Sequence, residues 1–279
     1  MHKAMQQQGI TRVISFTSGK GGVGKTSSVL NIGISLAREG RSVLLLDADL
    51  GLANLDVMLG IRPQATLHDV LEGRSSLRDI LIPGPEGLMI IPSASGVESI
   101  CTLSAAQRMH LLEAVEEIAS NFDYLLIDTQ AGIGSEVMYF NSAAGEVVCV
   151  INGEPTSLTD AYAMIKLLSR NYGERSISIL VNNVSGEREA HEAFGRLARA
   201  VERFLQVELR YLGFVPSDSA AREAVQAQSP VAQLFPSSQA ALGYARVARR
   251  LDERFLEQRV KGGLQFFFQQ ILEVSDYGR

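Results

Sequence analysis

Glycines at 19, 21, 22 and 24, closed by Lys25 and Thr26, meet the spacing G-x-x-x-x-G-K-[ST] of a phosphate-binding loop. Without Cβ atoms, the backbone of Gly19, Gly21, Gly22, Val23 and Gly24 can turn consecutive N–H groups inward around phosphate oxygens. A helix expected from Thr26, with Ser27 in its first turn, would add a positive dipole end. In such a loop Lys25 reaches the β- and γ-phosphates and the Thr26 hydroxyl sits on Mg²⁺. Lys20 is a second lysine at a position the motif leaves open.

Two more carboxylate-bearing runs belong with this loop. Asp47 and Asp49 stand at i and i+2 after an apolar run, where they would line one side of a phosphate site. Tyr124-Leu125-Leu126-Ile127-Asp128 is a strand-like run ending in a carboxylate, the pattern that delivers an aspartate to Mg²⁺ or its waters.

These side chains need strands to carry them. Near-continuous apolar runs at Val13–Thr17, Ser42–Asp47, Leu88–Pro92, Tyr124–Asp128, Glu146–Ile151, Ser176–Asn182 and Leu209–Val215 predict strands buried on both faces. Helical spacing predicts helices over Thr26–Glu39, Ser104–Ser120, Thr156–Asn171, Glu187–Phe204 and Ser238–Gln258. Leu111, Leu112, Val115 and Ile118 show that spacing in the second of these. The alternation predicts an α/β fold, a mostly parallel sheet with helices on both faces. Ligands on such sheets bind at the carboxyl ends of the strands, where the loop and the aspartates fall.

Composition narrows the function classes. With 279 residues and 46 % hydrophobic residues the chain can bury a core on each face of one sheet. Net charge is −5, from 26 basic and 31 acidic residues, which gives no footprint for wrapping nucleic acid. Cys101 and Cys149 are too far apart for a C-x-x-C motif, so metal or iron–sulfur binding lacks support and both are expected in the core of a protein from a reducing compartment. Met1–Gln8 is polar, unlike a signal peptide, and no apolar run is long enough to span a bilayer. The expected location is the cytosol, with any membrane contact peripheral.

The run Lys20-Gly21-Gly22-Val23-Gly24-Lys25-Thr26 resembles the deviant phosphate loop of the MinD/ParA ATPases. The resemblance implies ATP and Mg²⁺, and an early lysine, Lys20, that reaches a partner's nucleotide across an ATP-dependent homodimer. Such a lysine acts as an arginine finger does. It implies that Asp49 positions the attacking water, that Asp47 supports the Mg²⁺ water shell, and that Asn54 senses the γ-phosphate near the dimer interface. Thr129-Gln130-Ala131-Gly132 resembles the family's second switch, although relatives usually carry Pro or Ala at the place of Gln130. Asn182 matches an adenine-contacting Asn, with Asn183 competing, and Pro216-Ser217-Asp218 resembles a loop closing over the base. Asp218 could equally be a helix cap.

Several stretches point to one branch of that family. Asp47–Leu59, Ile91–Gly96, Asp128–Gly134 and Glu154–Lys166 resemble the FlhG/FleN ATPases that control flagellar number. That resemblance implies an ATP-dimerising switch whose partners are a flagellar transcriptional activator, a signal-recognition-particle-type GTPase and flagellar switch-complex proteins. Glu154, Thr159 and Asp160 are the candidates for its dimer or partner face. The rivals are a MinD-type division-site ATPase and a ParA-type DNA-segregation ATPase. The latter would use Arg246, Arg249, Arg250 and Arg254, but Asp252, Glu253 and Glu257 sit among them, so direct DNA binding is not expected. An iron–sulfur carrier of this fold would need a cysteine pair, and a tyrosine-kinase relative a terminal tyrosine cluster where only Tyr277 stands.

The chain reads as a tail over residues 1–12, an ATPase domain over 13–258, and a C-terminal helix and tail over 259–279. In that last part Leu264, Phe267, Phe268, Ile271 and Leu272 share one helical face, flanked by Phe266. Two readings stand: a membrane-targeting helix with reversible membrane contact, or a helix packed on its own domain. Glutamines and Glu273 on the polar face, with only Arg259 and Lys261 upstream, are unlike a basic membrane-surface helix. The two combine if the helix docks in the monomer and leaves when ATP drives dimerisation.

Overall fold

The computed structural model describes residues 11–49, 54–92, 104–119, 121–255 and 263–274. Cys101, Ser93–Gly96, Arg259, Lys261 and Tyr277 lie outside them, as do the side chains of Asn54, Arg254 and Leu272. Eight strands form one sheet in the order β3-β4-β2-β5-β1-β6-β7-β8. They are β1 Arg12–Thr17, β2 Val43–Ala48, β3 Ile82–Pro83, β4 Met89–Ile91, β5 Tyr124–Thr129, β6 Glu146–Ile151, β7 Ser176–Val184 and β8 Glu208–Pro216. All pairings are parallel except that of β3 with β4. β3 is the strand that apolar runs did not reveal: it is two residues long, ends in a proline and sits at an edge, where a missing N–H is tolerated.

The helices are α1 Lys25–Arg38, α2 Asn54–Leu59, α3 Leu67–Leu71, α4 Ala105–Ala119, α5 Ser135–Ala143 and α6 Pro155–Tyr172. They continue with α7 Glu187–Phe204, α8 Ser219–Gln226, α9 Val231–Leu234, α10 Gln239–Phe255 and α11 Leu264–Val274. Every residue of β1, β2 and β5 is buried, which is why these runs lack a polar alternation. Successive residues still serve different faces. Ile14, Phe16, Leu45 and Leu126 pack with α1 and α10, through Leu30, Ile34, Tyr244 and Leu251. Val13, Leu44, Leu46, Leu125 and Ile127 pack on the opposite face with α3, α4, α5 and α11. Farther along that face, Val147, Cys149 and Ile151 meet α6 and α7. Burial pushes the Cys149 thiol up to about 12, as expected of a core cysteine.

The C-terminal amphipathic segment forms α11, and its apolar face is covered by the chain itself. Leu264, Phe267, Phe268 and Ile271 are each at most 2 % exposed, packed with Leu111, Val115 and Phe140. The Phe140 and Phe267 rings lie 6.2 Å apart, and Phe267 meets Phe268 edge-on at 5.2 Å. Phe266, the flanking residue, stays 44 % exposed. The helices α10 and α11 therefore lie on opposite faces of the sheet.

A buried Phe truncated to Ala loses about 3–5 kcal/mol through transfer and cavity terms. Phe267→Ala should lower the urea midpoint of the nucleotide-free chain accordingly. A loss below about 1 kcal/mol would mean that α11 is not seated on α4 and α5 in solution.

Candidate nucleotide site

The loop joining β1 to α1 has the backbone its glycines imply. Gly22 (φ 81°) and Gly24 (φ 84°) are in the left-handed region, and α1 starts directly after Gly24. Gly24 has a second reason to lack a side chain: a Cβ there would lie 2.2 Å from Nδ2 of Asn182. That amide nitrogen donates to the Val23 carbonyl at 2.8 Å, so β7 is stitched to the loop. A Cβ at Gly19 would lie 2.3 Å from the carbonyl carbon of Asp160, so the start of the loop presses on α6.

Lys25 and the two strand-end aspartates form one buried cluster. The parallel pairing of β2 with β5 sets Asp47 directly beside Asp128. Lys25 Nζ bonds Oδ1 of Asp128, and both side chains are buried. Oδ2 of Asp128 is fully buried and has no partner. Burial pushes the Asp128 carboxyl up, against the downward pull of Lys25 and of the Thr26 hydroxyl that also faces it. Asp47 accepts the backbone N–H of Asp49 through Oδ1 and of Leu55 through Oδ2, each at 3.1 Å. Burial first, and Asp128 second, push the Asp47 carboxyl up to about 7. Asp49 is itself 7 % exposed. Asp47 thus holds both ends of the segment that links Asp49 to α2.

This donor set fits Mg²⁺. The Thr26 hydroxyl, an unpartnered carboxylate oxygen and a neighbouring acid are hard oxygen ligands, and Mg²⁺ keeps several waters and takes phosphate oxygens rather than an all-protein cage. No group of three or more His, Cys, Asp or Glu arranged to hold a metal is present among the described residues.

Lys20 stands clear of that cluster. Its Nζ donates to Oε2 of Glu154 at 2.8 Å and to Oγ1 of Thr156 at 3.1 Å, and it is 40 % exposed. The Lys20 ammonium holds the Glu154 carboxyl below its ordinary range. Glu154 and Thr156 lie at the start of α6. Thr159 bonds within that helix to the Pro155 carbonyl, and Asp160 contributes the carbonyl that backs Gly19. Gly132 donates to the Ser18 carbonyl at 2.8 Å, which ties the segment after β5 to the start of the loop. Gln130 and Ile133 of that segment are exposed.

Beside the loop is a cleft of about 520 Å³ lined by Val23, Ser27, Asn182, Asn183, Pro216 and Tyr244, among others. Asn182 is buried in its wall, whereas Asn183 is exposed and left-handed (φ 56°). Asp218 also lines it, but as the cap of α8: its oxygens accept the N–H groups of Ala220 at 2.9 Å and Ala240 at 3.0 Å. The helix-cap reading of Asp218 is the one its bonds fit, and its carboxylate shapes the loop. Tyr244 and Thr156 are site residues that sequence reasoning missed. Tyr244 is fully buried, its phenol pushed up to about 12 by burial against the opposing pull of the Ser28 and Asn182 side chains. It reaches the cleft from a helix more than two hundred residues downstream of the loop, and no local motif marks it.

With this geometry in place, likeness to known proteins can be read. A family model described as an AAA domain matches residues 11–179. The antiactivator FleN of Pseudomonas aeruginosa is 46 % identical over 271 residues, covering 97 % of each chain. The chain belongs to the FleN/FlhG branch of the MinD/ParA ATPases. The flagellum site-determining protein YlxH of Helicobacter pylori is 34 % identical, over 95 % of this chain and 91 % of that protein. The fold agrees: the septum site-determining protein MinD of Pyrococcus horikoshii, solved with Mg-ADP, superposes with a TM-score of 0.70. That match is at 28 % identity and covers 90 % of this chain and all of MinD. As in the rest of the MinD/ParA family, the FleN/FlhG branch is built around a phosphate-loop NTPase site on a mostly parallel sheet, and the second lysine of the loop is present here as Lys20.

The raised Asp47 carboxyl has a consequence for binding. Near pH 6.5 it is largely protonated, and a nearby Mg²⁺ favours the carboxylate, so Mg-ADP should displace its proton. At pH 8.5 the group is already ionised and has no proton to give. Calorimetric binding enthalpies should therefore depend on buffer ionisation enthalpy at pH 6.5 and scarcely at pH 8.5. Equal dependence at both pH values would assign the proton to another group.

Proposed function

We propose that this protein is an ATP-driven dimerising switch that sets flagellar number and placement and restrains flagellar gene expression. The observation that carries the reading is Lys20. It is a second loop lysine, partly exposed and held by Glu154 and Thr156 beside a complete phosphate site, in a chain 46 % identical to an antiactivator along nearly its full length. A lysine spent on its own nucleotide would sit with Lys25 in the buried cluster. Lys20 instead stands at the rim, where a second copy could receive it.

The residues divide the work as follows. The loop amides and Lys25 bind the phosphates, and Asn182, Pro216 and the cleft beside them hold adenine. Thr26 and Asp128, with Asp47 behind them, hold Mg²⁺, which when bound neutralises charge on the phosphates. Asp49 orients the attacking water. Lys20 leaves Glu154 to stabilise the charge that develops on the partner's transferring phosphoryl group. Removing one such donor costs on the order of 10²–10³ in rate. Asn54, Glu154, Thr159 and Asp160 lie on the face that a second copy or a regulatory partner would meet. The label borne by the Pseudomonas relative supports a transcriptional activator as one such partner. Hydrolysis is slow and waits on dimer and partner.

For membrane contact we propose a reversible mode through α11, undocked in the ATP form. No helix among the described residues is long and apolar enough to cross a membrane. A DNA-segregation role finds no support in the described basic side chains of α10. Arg249 pairs with Glu39, Arg250 bonds the Leu212 carbonyl, and Arg246 lies over the Phe214 ring.

Size-exclusion light scattering with Mg-ADP and Mg-ATP tests the switch. The wild-type chain should be a monomer with ADP and a dimer with ATP, and Asp49→Ala should remain dimeric as hydrolysis stops. Lys20→Ala should weaken the dimer and lose hydrolysis by the factor above. A chain that stays monomeric in ATP, hydrolysing as fast without Lys20, would leave an ordinary phosphate-loop ATPase.

A further inference from the structure

We propose that α5 is the lever that links the nucleotide site to the seating of α11, through two neighbouring side chains: Asn141, which contacts the strand before the phosphate loop, and Phe140, which contacts α11. The proposal deepens the reading above and rests on it. Asn141 is fully buried in α5. Its Nδ2 donates at 3.1 Å to Oγ1 of Thr17, the last residue of β1 and the one before the phosphate loop begins at Ser18. Its Oδ1 is buried with no partner, so the side chain is held by that one bond. A buried amide with an unmet acceptor is a costly arrangement that a small shift of α5 could relieve.

The segment leading into α5 touches the same place. Thr129 Oγ1 donates to the Phe16 carbonyl at 2.9 Å, and Gly132 donates to the Ser18 carbonyl at 2.8 Å. Only Ile133 and Gly134 then separate Gly132 from α5. Whatever draws the 129–132 segment toward a γ-phosphate must therefore pull on the N-terminus of α5 and on the Asn141–Thr17 bond together. The preceding residue, Phe140, is also buried, but it packs against α11 rather than against β1. Its ring packs 6.2 Å from Phe267, inside the cluster that seats α11. Packed rings tolerate little displacement without losing contact, so a moved α5 weakens that seat. One short helix thus joins the loop to α11 without passing through the sheet.

Coupling of this kind is reciprocal: what ATP does to α11, α11 does to ATP, by the same factor. Weakening the seat should tighten binding of the triphosphate relative to ADP. The chain has no tryptophan, so Phe266→Trp, at the exposed flank of α11, gives a single fluorescence reporter in the full-length protein. Its emission would be followed while Mg-ADP or a Mg-bound non-hydrolysable ATP analogue is titrated. The same titrations would be run on Asn141→Leu, which removes the bond at similar volume, and on Phe140→Leu, which removes the ring contact.

The reporter should shift with the analogue and not with ADP. Asn141→Leu should still bind the analogue but show little shift. Phe140→Leu should shift at lower analogue concentration, with analogue affinity raised relative to ADP by about 5-fold or more, the lower end of usual site-to-site coupling. Unchanged shifts and affinities in both variants would overturn the lever while leaving a nucleotide-released helix intact. A wild-type chain that dimerises with the analogue and shows no shift would overturn both the lever and helix release, yet leave the dimer switch standing. Thermal melts of the variants with ADP identify any that fail to fold, and Phe140→Leu then decides alone.

Discussion

Two carboxylates and one ammonium share a buried place at the ends of β2 and β5, and much of the molecule is arranged around that imbalance. A buried ion pair is sustainable only with close geometry and satisfied neighbours. Here the geometry comes from the sheet. Parallel register sets Asp47 beside Asp128, and β1, lying next to β5, launches the loop that brings Lys25 to Asp128. Burial first, and the neighbouring Asp128 second, push Asp47 toward neutrality, and an oxygen of Asp128 is left without a partner. A bound Mg²⁺ would add positive charge beside these buried carboxylates.

The parts of this arrangement that were legible in the sequence are those that repeat locally. Continuous apolar runs located the central strands because both their faces are buried. The loop spacing, and the aspartates at strand ends, could be read from order alone. β3 could not, since two residues at an edge carry no periodic signal. Neither could the partners of Lys20: Glu154 was singled out as a surface candidate, but Thr156 and the contact itself depend on α6 folding back against Gly19. Tyr244 and Asn141 were equally invisible. Each is one polar side chain on an otherwise ordinary helix, and tertiary packing alone brings it to the loop.

The amphipathic pattern of residues 264–272 shows how far such a signal goes. Periodicity revealed an apolar face but not what would cover it, because a membrane and a groove between two helices ask for the same side chains. The answer came from shape: two helices, α4 and α5, leave a slot that Leu264, Phe267, Phe268 and Ile271 fill. The absence of lysine and arginine on the polar side suits a helix that packs against protein.

The placement of α10 and α11 on opposite faces of one sheet bears on how the molecule is made. The α1–α10 layer uses residues up to Phe255, whereas the slot between α4 and α5 is filled only by residues that follow them in the chain. Leu111, Val115 and Phe140 are thus among the last core residues to be covered, although they lie near the middle of the chain. Such a slot is open to any apolar segment that arrives first. A chain cut after residue 255 would keep the elements of the α1–α10 layer and leave an uncovered apolar slot on the opposite face.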